Sequence, residues 1–151
     1  MVEVLGELSG LARFVEEEGI EKVVQWFKDV CKKLGGSVKK ERYYEEDIEN
    51  YVCYLPEKRW LDIMHSREFG EESRIFLRHE DEEGEWEQET VGVPLGVRVN
   101  IKGADLTYSE MSSDEIGGRK SSFGLLTKKT DVISMRVLRK ENWSEITLSL
   151  D

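Results

Sequence analysis

The sequence contains few cysteines, histidines and prolines, and few of the amide residues that degrade at high temperature. Its 151 residues include two cysteines, two histidines and two prolines. Asparagine and glutamine together contribute only Gln25, Asn50, Gln88, Asn100 and Asn142. Few thermolabile amides beside 36% charged residues is a composition typical of thermophile proteins. We therefore expect a melting temperature above about 65 °C, the upper end of the range for mesophilic domains.

The two cysteines, Cys31 and Cys53, are too few and too far apart to indicate a zinc site or a disulfide framework. Each lies in an apolar-patterned segment, where a free cysteine behaves as a small hydrophobic residue. We therefore predict two buried free thiols. The alternative is a disulfide between them, because intracellular thermophile proteins do form such bonds.

Long hydrophobic runs are also missing, since no apolar stretch approaches the roughly 20 residues that span a bilayer. The N-terminus has no basic region followed by an apolar stretch, so we expect no signal peptide and a cytoplasmic protein. The net charge of −10 argues against an anionic membrane as partner. It also disfavours nucleic acid, because phosphate contacts need clustered lysine and arginine.

Two amphipathic segments open the chain, and we predict that both are helices. The first carries apolar residues at three- and four-residue spacing over 5–15. The second has a continuous apolar stripe from Ile20 to Leu34 with charged residues opposite, and Gly35-Gly36 is its predicted C-cap. Such a stripe must pack against another element.

After Gly36 the hydrophobic period changes from 3.6 to 2 and predicts antiparallel strands joined by short turns. The predicted strands cover residues 38–44, 48–55, 60–66, 74–80, 85–91, 96–102, 106–109, 123–127, 132–139 and 146–150. The fold class is therefore α+β, in one domain over 1–151 with a helical part (1–35) and an antiparallel β part (37–151). We expect two helices packed on a strongly curved sheet or partial barrel of about 8–10 strands. The alternative is a two-sheet sandwich with helices at one edge.

One hairpin has a register specified by both faces. Centring its loop on Gly70 pairs Leu61 with His79, Asp62 with Arg78, and His65 with Ile75. The two histidines then share a face but lie four residues apart along the hairpin, about 13 Å at the usual rise. They are too distant to ligate one metal, so we predict no metal site.

His65 is the best candidate for a catalytic residue. It precedes the loop 66–73, whose Glu68, Glu71 and Glu72 offer a carboxylate to orient a general base. The corresponding function is a small hydrolase or isomerase with His65 in a cavity. A lone histidine on an apolar face more often has a structural role, in which a local partner satisfies its hydrogen bonds.

Several features indicate binding rather than catalysis. The aperiodic segment 109–122 carries Arg119, Lys120 and Ser121, which offer cations and amides to an anion. Trp60 and Trp86 have polar neighbours and are predicted at a rim, where aromatic residues serve interfaces and ligand mouths. The basic segment 119–140 supports a further alternative, a nucleic-acid-associated factor, although few aromatic residues accompany it.

The acidic run 80–85 lacks the alternating spacing of a calcium loop, and we interpret it as a solvated hairpin tip. No cofactor motif is present, and we expect no cofactor. The function predicted from the sequence is a non-enzymatic module that binds a ligand or a protein and self-associates. Its expected partners are a second copy of the chain and a protein or small molecule.

Overall fold

The computed structural model describes residues 19–43, 47–68, 73–93, 97–102, 107–111, 121–140 and 144–151. These contain one helix, α1 (residues 19–33), and eight strands. The strands are β1 (Ser37–Tyr43), β2 (Ile48–Glu68), β3 (Ser73–Glu80), β4 (Trp86–Val93), β5 (Val97–Lys102), β6 (Thr107–Met111), β7 (Ser121–Arg139) and β8 (Ser144–Leu150). The predicted helix over 5–15 lies outside the described residues.

Helix α1 follows the predicted apolar stripe. Its residues Ile20, Val23, Val24, Phe27, Val30 and Cys31, and Leu34 just beyond it, are each at most 4% exposed. The predicted C-cap at Gly35-Gly36 is confirmed, and Gly35 has a φ of +78°, which an L side chain rarely adopts. The Gly36 amide donates to the Cys31 carbonyl and the Gly35 amide to that of Lys32, the two bonds of a Schellman cap. Within the described ranges, no helix combines the length and apolar content that a membrane crossing requires.

The eight strands form one strongly curled, mixed sheet that wraps as a half-barrel around α1. Six of them follow the order β4-β3-β2-β7-β8-β5, while β1 pairs with β2 and β6 with β7. Most pairs are antiparallel, as predicted, but β5 runs parallel to β8. The described strands therefore form a single sheet rather than a sandwich, and the curved-sheet prediction is confirmed in its coarse form.

Two pairs of predicted strands are joined into long ones. Segments 48–55 and 60–66 are parts of β2, which has 21 residues, and segments 123–127 and 132–139 are parts of β7, which has 19. The turn predicted at Pro56-Glu57 is instead an irregularity in the β2–β7 pairing, between Tyr54 and Arg59. A bulge accommodates a proline because it leaves some amides without a ladder partner. The bulge bends the strand and does not reverse it.

The predicted register between β2 and β3 is confirmed, while the loop centred on Gly70 lies outside the described residues. The structure pairs Leu61 with His79, Asp62 with Arg78, and His65 with Ile75. The two histidines therefore lie at opposite ends of the hairpin. No group of three or more metal-binding side chains occurs in the part of the chain that the structure describes.

A disulfide joins Cys31 of α1 to Cys53 of β2, with their Cα atoms 5.9 Å apart. The prediction of free thiols was therefore wrong, and the alternative is the one the structure contains. Both cysteines are buried as expected. The bond fastens the end of the helix to a central strand of the sheet.

Candidate interaction surface

The interior of the half-barrel is filled by α1. The cavity between the helix and the sheet has a volume of about 10 Å³ and is lined by Trp26, Phe27, Val30, Cys31, Cys53, Ile63, Leu77, Ile133 and Leu148. A space of this size holds at most one water molecule. The side chains facing α1 therefore form a packed core and not a ligand pocket.

The exposed aromatic residues lie on the opposite, outer side of the sheet. Tyr54, Trp60 and Trp86 are 44%, 45% and 42% exposed, and they are the large hydrophobic side chains exposed among the described residues. Trp60 precedes the buried Leu61, so alternation along the strand directs it outward. Glu80 pairs with Trp86, and extending the β2–β3 register by one residue places Trp60 opposite Glu80. The two tryptophans therefore flank Glu80, two strands or about 10 Å apart.

Arg78 lies beside this pair and is held from two directions. Its guanidinium carbon is 5.2 Å from the centre of the Trp86 ring, in a cation–π contact. Its Nη1 is 3.8 Å from Oδ2 of Asp62, the residue predicted opposite it. Asp62 is only 7% exposed, and its Oδ1 has no hydrogen-bond partner among the described residues. A buried carboxylate next to the arginine fixes the guanidinium over the indole ring.

Half-buried hydrophobic side chains extend this surface along the strands. Met64 pairs with Phe76 of β3 and with Leu125 of β7, and all three are partly exposed on the outer side. We call the surface formed by Trp60, Met64, Phe76, Arg78, Trp86 and Leu125 the outer patch. It combines two tryptophans and an arginine, the residue types enriched at the energetic centres of protein interfaces.

His79 is buried in the core at the end of the hairpin. It is 4% exposed, and neither ring nitrogen has a hydrogen-bond partner within the described ranges. Burial lowers the pKa of the imidazole, although the nearby carboxylates of Glu87 and Glu89 oppose that shift. The Glu87 carboxylate is 3.7 Å from Nε2, too far for a hydrogen bond. His79 is thus a core residue whose burial favours the neutral imidazole.

His65 is half-buried on the helix-facing side, between Ile75 and Gly124 of the neighbouring strands. It lines neither of the two cavities described in this section. Of the acidic residues expected to orient it, Glu71 and Glu72 lie outside the described residues. Neither of these two cavities therefore supports the His65 enzyme hypothesis.

The basic segment does not form one continuous face. Arg119 and Lys120 lie outside the described residues, and Ser121 is the first residue of β7, paired with Glu68. Lys128 and Lys129 are neighbours in a strand and point to opposite sides of the sheet. Arg139 is already neutralised, at 3.1 Å from Glu21 and 3.6 Å from Glu49. A groove that tracks a phosphate backbone is not formed by the described basic residues.

A polar network closes the opposite end of the core. The Tyr51 hydroxyl donates to Oε2 of Glu49 at 2.8 Å, and burial together with this bond raises the pKa of the phenol. Burial favours the protonated form of Glu49, but the bond from Tyr51 and the charges of Arg139 and Lys40 outweigh it and lower the pKa of the carboxyl. Each charged group has a neighbour of opposite charge, although Nε of Arg139 has no hydrogen-bond partner among the described residues. The network therefore fastens α1 to the sheet through Arg139 and Glu21.

An open groove of about 680 Å³ runs between α1 and β4. It is lined by Lys22, Gln25, Trp26, Asp29, Val30, Lys32, Lys33, Glu89, Thr90 and Val91, and we call it the edge groove. Nζ of Lys33 is 2.7 Å from Oε1 of Glu89 and closes one end. The hydrogen bond to Glu89 and its charge raise the pKa of this lysine.

Sequence reasoning identified Trp60 and Trp86 but not the surface that unites them. The signal was present in the hairpin register, which set Asp62 opposite Arg78 on the same side as Trp60. The edge groove was missed, because its formation depends on where α1 packs. Its one sequence signal is the uncharged end of β4, Thr90–Val93.

The fold defines a class, a helix-filled half-barrel of mixed β-sheet, whose outer surface carries the candidate site. No protein-family model, no curated protein and no solved structure matches this chain. The proposals that follow therefore depend on its own residues.

Proposed function

We propose that this protein is a non-enzymatic interaction module that self-associates through the outer patch. The observation that carries the proposal is the pair of exposed tryptophans, Trp60 and Trp86, on the outer face of the sheet. The guanidinium of Arg78 lies over the Trp86 ring on the same face. Exposed tryptophans clustered in this way are characteristic of interfaces, whereas single exposed apolar residues are common everywhere. The packed interior is in keeping with this proposal, since the described side chains leave room for at most one water molecule between α1 and the sheet.

The charges of Arg78, in the outer patch, and of Glu80, beside it, favour a second copy as the partner. Arg78 and Glu80 are two residues apart on the same side of β3. In a twofold interface each residue of a contacting pair appears twice, so Arg78 of one protomer meets Glu80 of its partner and the reverse. A surface carrying one cation beside one anion is therefore self-complementary. The net charge of −10 opposes association, so added salt is expected to strengthen the dimer by screening.

The test is the oligomeric state of the full chain, measured by native mass spectrometry and by analytical ultracentrifugation over a concentration series. We expect a dimer whose association weakens at least about 100-fold in the double variant Trp60→Ala/Trp86→Ala, since truncating a hot-spot residue costs about 2 kcal/mol or more. The matched control is Tyr54→Ala, which removes an equally exposed aromatic side chain outside the patch.

A second variant tests self-complementarity. Glu80→Arg places like charges opposite each other across the twofold axis and is expected to weaken the dimer, with the loss reduced at high salt. The proposal is refuted if the wild-type chain remains monomeric at about 100 µM, a concentration far above the Kd of a stable dimer. Equal losses in the tryptophan and Tyr54 variants refute the assignment to the outer patch.

A further inference from the structure

Strand β4 is an edge of the sheet whose first half is protected by the helix-facing charges of Glu87 and Glu89, and whose second half has none of the usual protections. Among the described strands it pairs only with β3, over eight residues in an uninterrupted register. It contains no lysine and no proline, and Thr90–Val93 carries no charge. Proteins normally protect such an edge with lysine, proline, a bulge or a very short strand. Among the described residues, the uncharged segment Thr90–Val93 thus has a strand partner on one side only, which suits it to accept another strand.

The edge groove lies alongside this strand, with α1 as its opposite wall. Trp26 and Val30 of the helix and Val91 of β4 supply its apolar surface. A groove between a helix and an open sheet edge is a geometry in which extended peptides bind by strand addition. Backbone hydrogen bonds then supply affinity, and the side chains facing the helix supply specificity. We propose that the edge groove binds an extended acidic peptide segment as an added strand beside β4.

Charge identifies the occupant. The helix wall carries Lys22, Lys32 and Lys33 against Asp29 alone, in a chain whose net charge is −10. Lys33 is paired with Glu89, and Asp29 accepts a hydrogen bond from Gln25. Lys22 and Lys32 form no ion pair with any residue that the structure describes. Two unpaired cations beside an otherwise acidic protein attract acidic side chains of a partner.

The spacing of these lysines defines the peptide pattern. Ten residues separate Lys22 from Lys32, about 15 Å along a helix axis. Alternate residues of a strand face the same side, so two side chains four residues apart lie about 13 Å from one another on the helix-facing side. For a peptide that runs along α1, the expected ligand therefore has acidic residues at both ends of a five-residue stretch and an apolar residue at its centre, which meets Trp26, Val30 and Val91.

The probe is the fluorescein-labelled, end-blocked peptide Thr-Glu-Thr-Val-Thr-Glu-Thr, titrated with the full chain by fluorescence anisotropy. The control peptide has lysine in place of both glutamates. We expect saturable binding of the acidic peptide and binding at least about tenfold weaker for the basic one, as two reversed charge pairs at a rim predict. Equal binding of the two peptides, or no binding of the acidic one, overturns the proposal.

Protein variants locate the site. The double variant Lys22→Glu/Lys32→Glu is expected to weaken binding of the acidic peptide at least about tenfold and to strengthen binding of the basic peptide. The matched control, Lys39→Glu/Lys58→Glu, makes the same change in net charge at exposed residues outside the groove and is expected to leave both affinities within about twofold. Equal losses in the two double variants mean that the peptide senses only net charge, which also overturns the proposal.

Hydrogen exchange tests the strand addition itself. Bound peptide is expected to slow amide exchange in Trp86–Val93 and not in β1, β5 or β6, which also have one described strand partner each. Protection confined to any other segment contradicts the site. The Trp60→Ala/Trp86→Ala variant separates this inference from the proposed self-association, because Trp60 and Trp86 do not line the edge groove. That variant is expected to bind the acidic peptide even as a monomer.

Discussion

Reduction of the bond between Cys31 and Cys53 is expected to lower the stability of the fold by about 3 kcal/mol. The cysteines are 22 residues apart in sequence. The loop-closure relation for a loop of this length gives an entropy of about 11 cal/mol/K removed from the unfolded chain, or about 3.4 kcal/mol at 25 °C. For a chain of this size such a loss lowers the melting temperature by roughly 10 °C. The effect arises in the unfolded state, since reduction leaves both sulfur atoms in the core.

The measurement is urea unfolding followed by circular dichroism, with and without a phosphine reductant. The double variant Cys31→Ala/Cys53→Ala is the control, and the reductant is expected to leave its stability unchanged. The unfolded protein is also treated, without reductant, with a disulfide reagent that releases a coloured product on reaction with free thiols. If two thiols react, Cys31 and Cys53 are not bonded. A wild-type loss below about 1 kcal/mol refutes the argument from loop closure, because the calculated term is three times larger.

Three further predictions concern single positions. Gly36→Ala is expected to cost about 1–3 kcal/mol, measured by urea unfolding, because a Cβ there would lie 2.7 Å from the Tyr54 carbonyl oxygen; a cost below about 0.5 kcal/mol contradicts that close approach. His79→Leu is expected to flatten the stability profile below neutral pH: burial lowers the pKa of the folded imidazole, so the wild type is fully stabilised above the unfolded value of 6.5 and loses stability as pH falls through the folded one. An unchanged slope between pH 7 and 5, about the range in which an unfolded histidine titrates, argues against this role. Tyr51→Phe is expected to cost about 1–2 kcal/mol at pH 7 and less in acid, because its hydroxyl bonds the charged form of Glu49; NMR titration of that carboxyl should show a raised pKa.

The elements predicted best are those with redundant local signals. Helix α1 has an apolar stripe and a glycine cap that agree on where it ends, and the β2–β3 hairpin has complementary pairs on both faces. In each case any shift of the register misplaces several residues at once. Agreement between independent local signals is what made these predictions exact to the residue.

The errors have a common physical origin in long-range contacts. Pro56 has the same local preferences in a turn and in a bulge, and only the pairing of β2 with β7 selects the bulge. The parallel pairing of β5 with β8 joins segments more than 40 residues apart, and no local pattern encodes such a partner choice. The proximity of Cys31 and Cys53 likewise depends on how α1 packs.

The candidate surfaces follow the same division. The hairpin register was enough to set Asp62 opposite Arg78. The union of Trp60 with Trp86 required the extension of the sheet to β4, and the edge groove required the position of the helix above it. Residues on one hairpin can therefore be assembled from sequence, whereas surfaces shared by distant elements cannot.

The two long strands, β2 and β7, run through both ends of the sheet. The first part of β2 pairs with β1 and the second with β3, while β7 pairs with β6 at one end and β8 at the other. Each end of the sheet thus has its own outer strands, but both ends share the central strands β2 and β7. If one end unfolds, β2 and β7 lose hydrogen-bond partners there, and the other end of the sheet contains the same two strands. Loss of structure at one end is therefore transmitted along β2 and β7, and the amides of these two strands should exchange with solvent only when the whole domain opens.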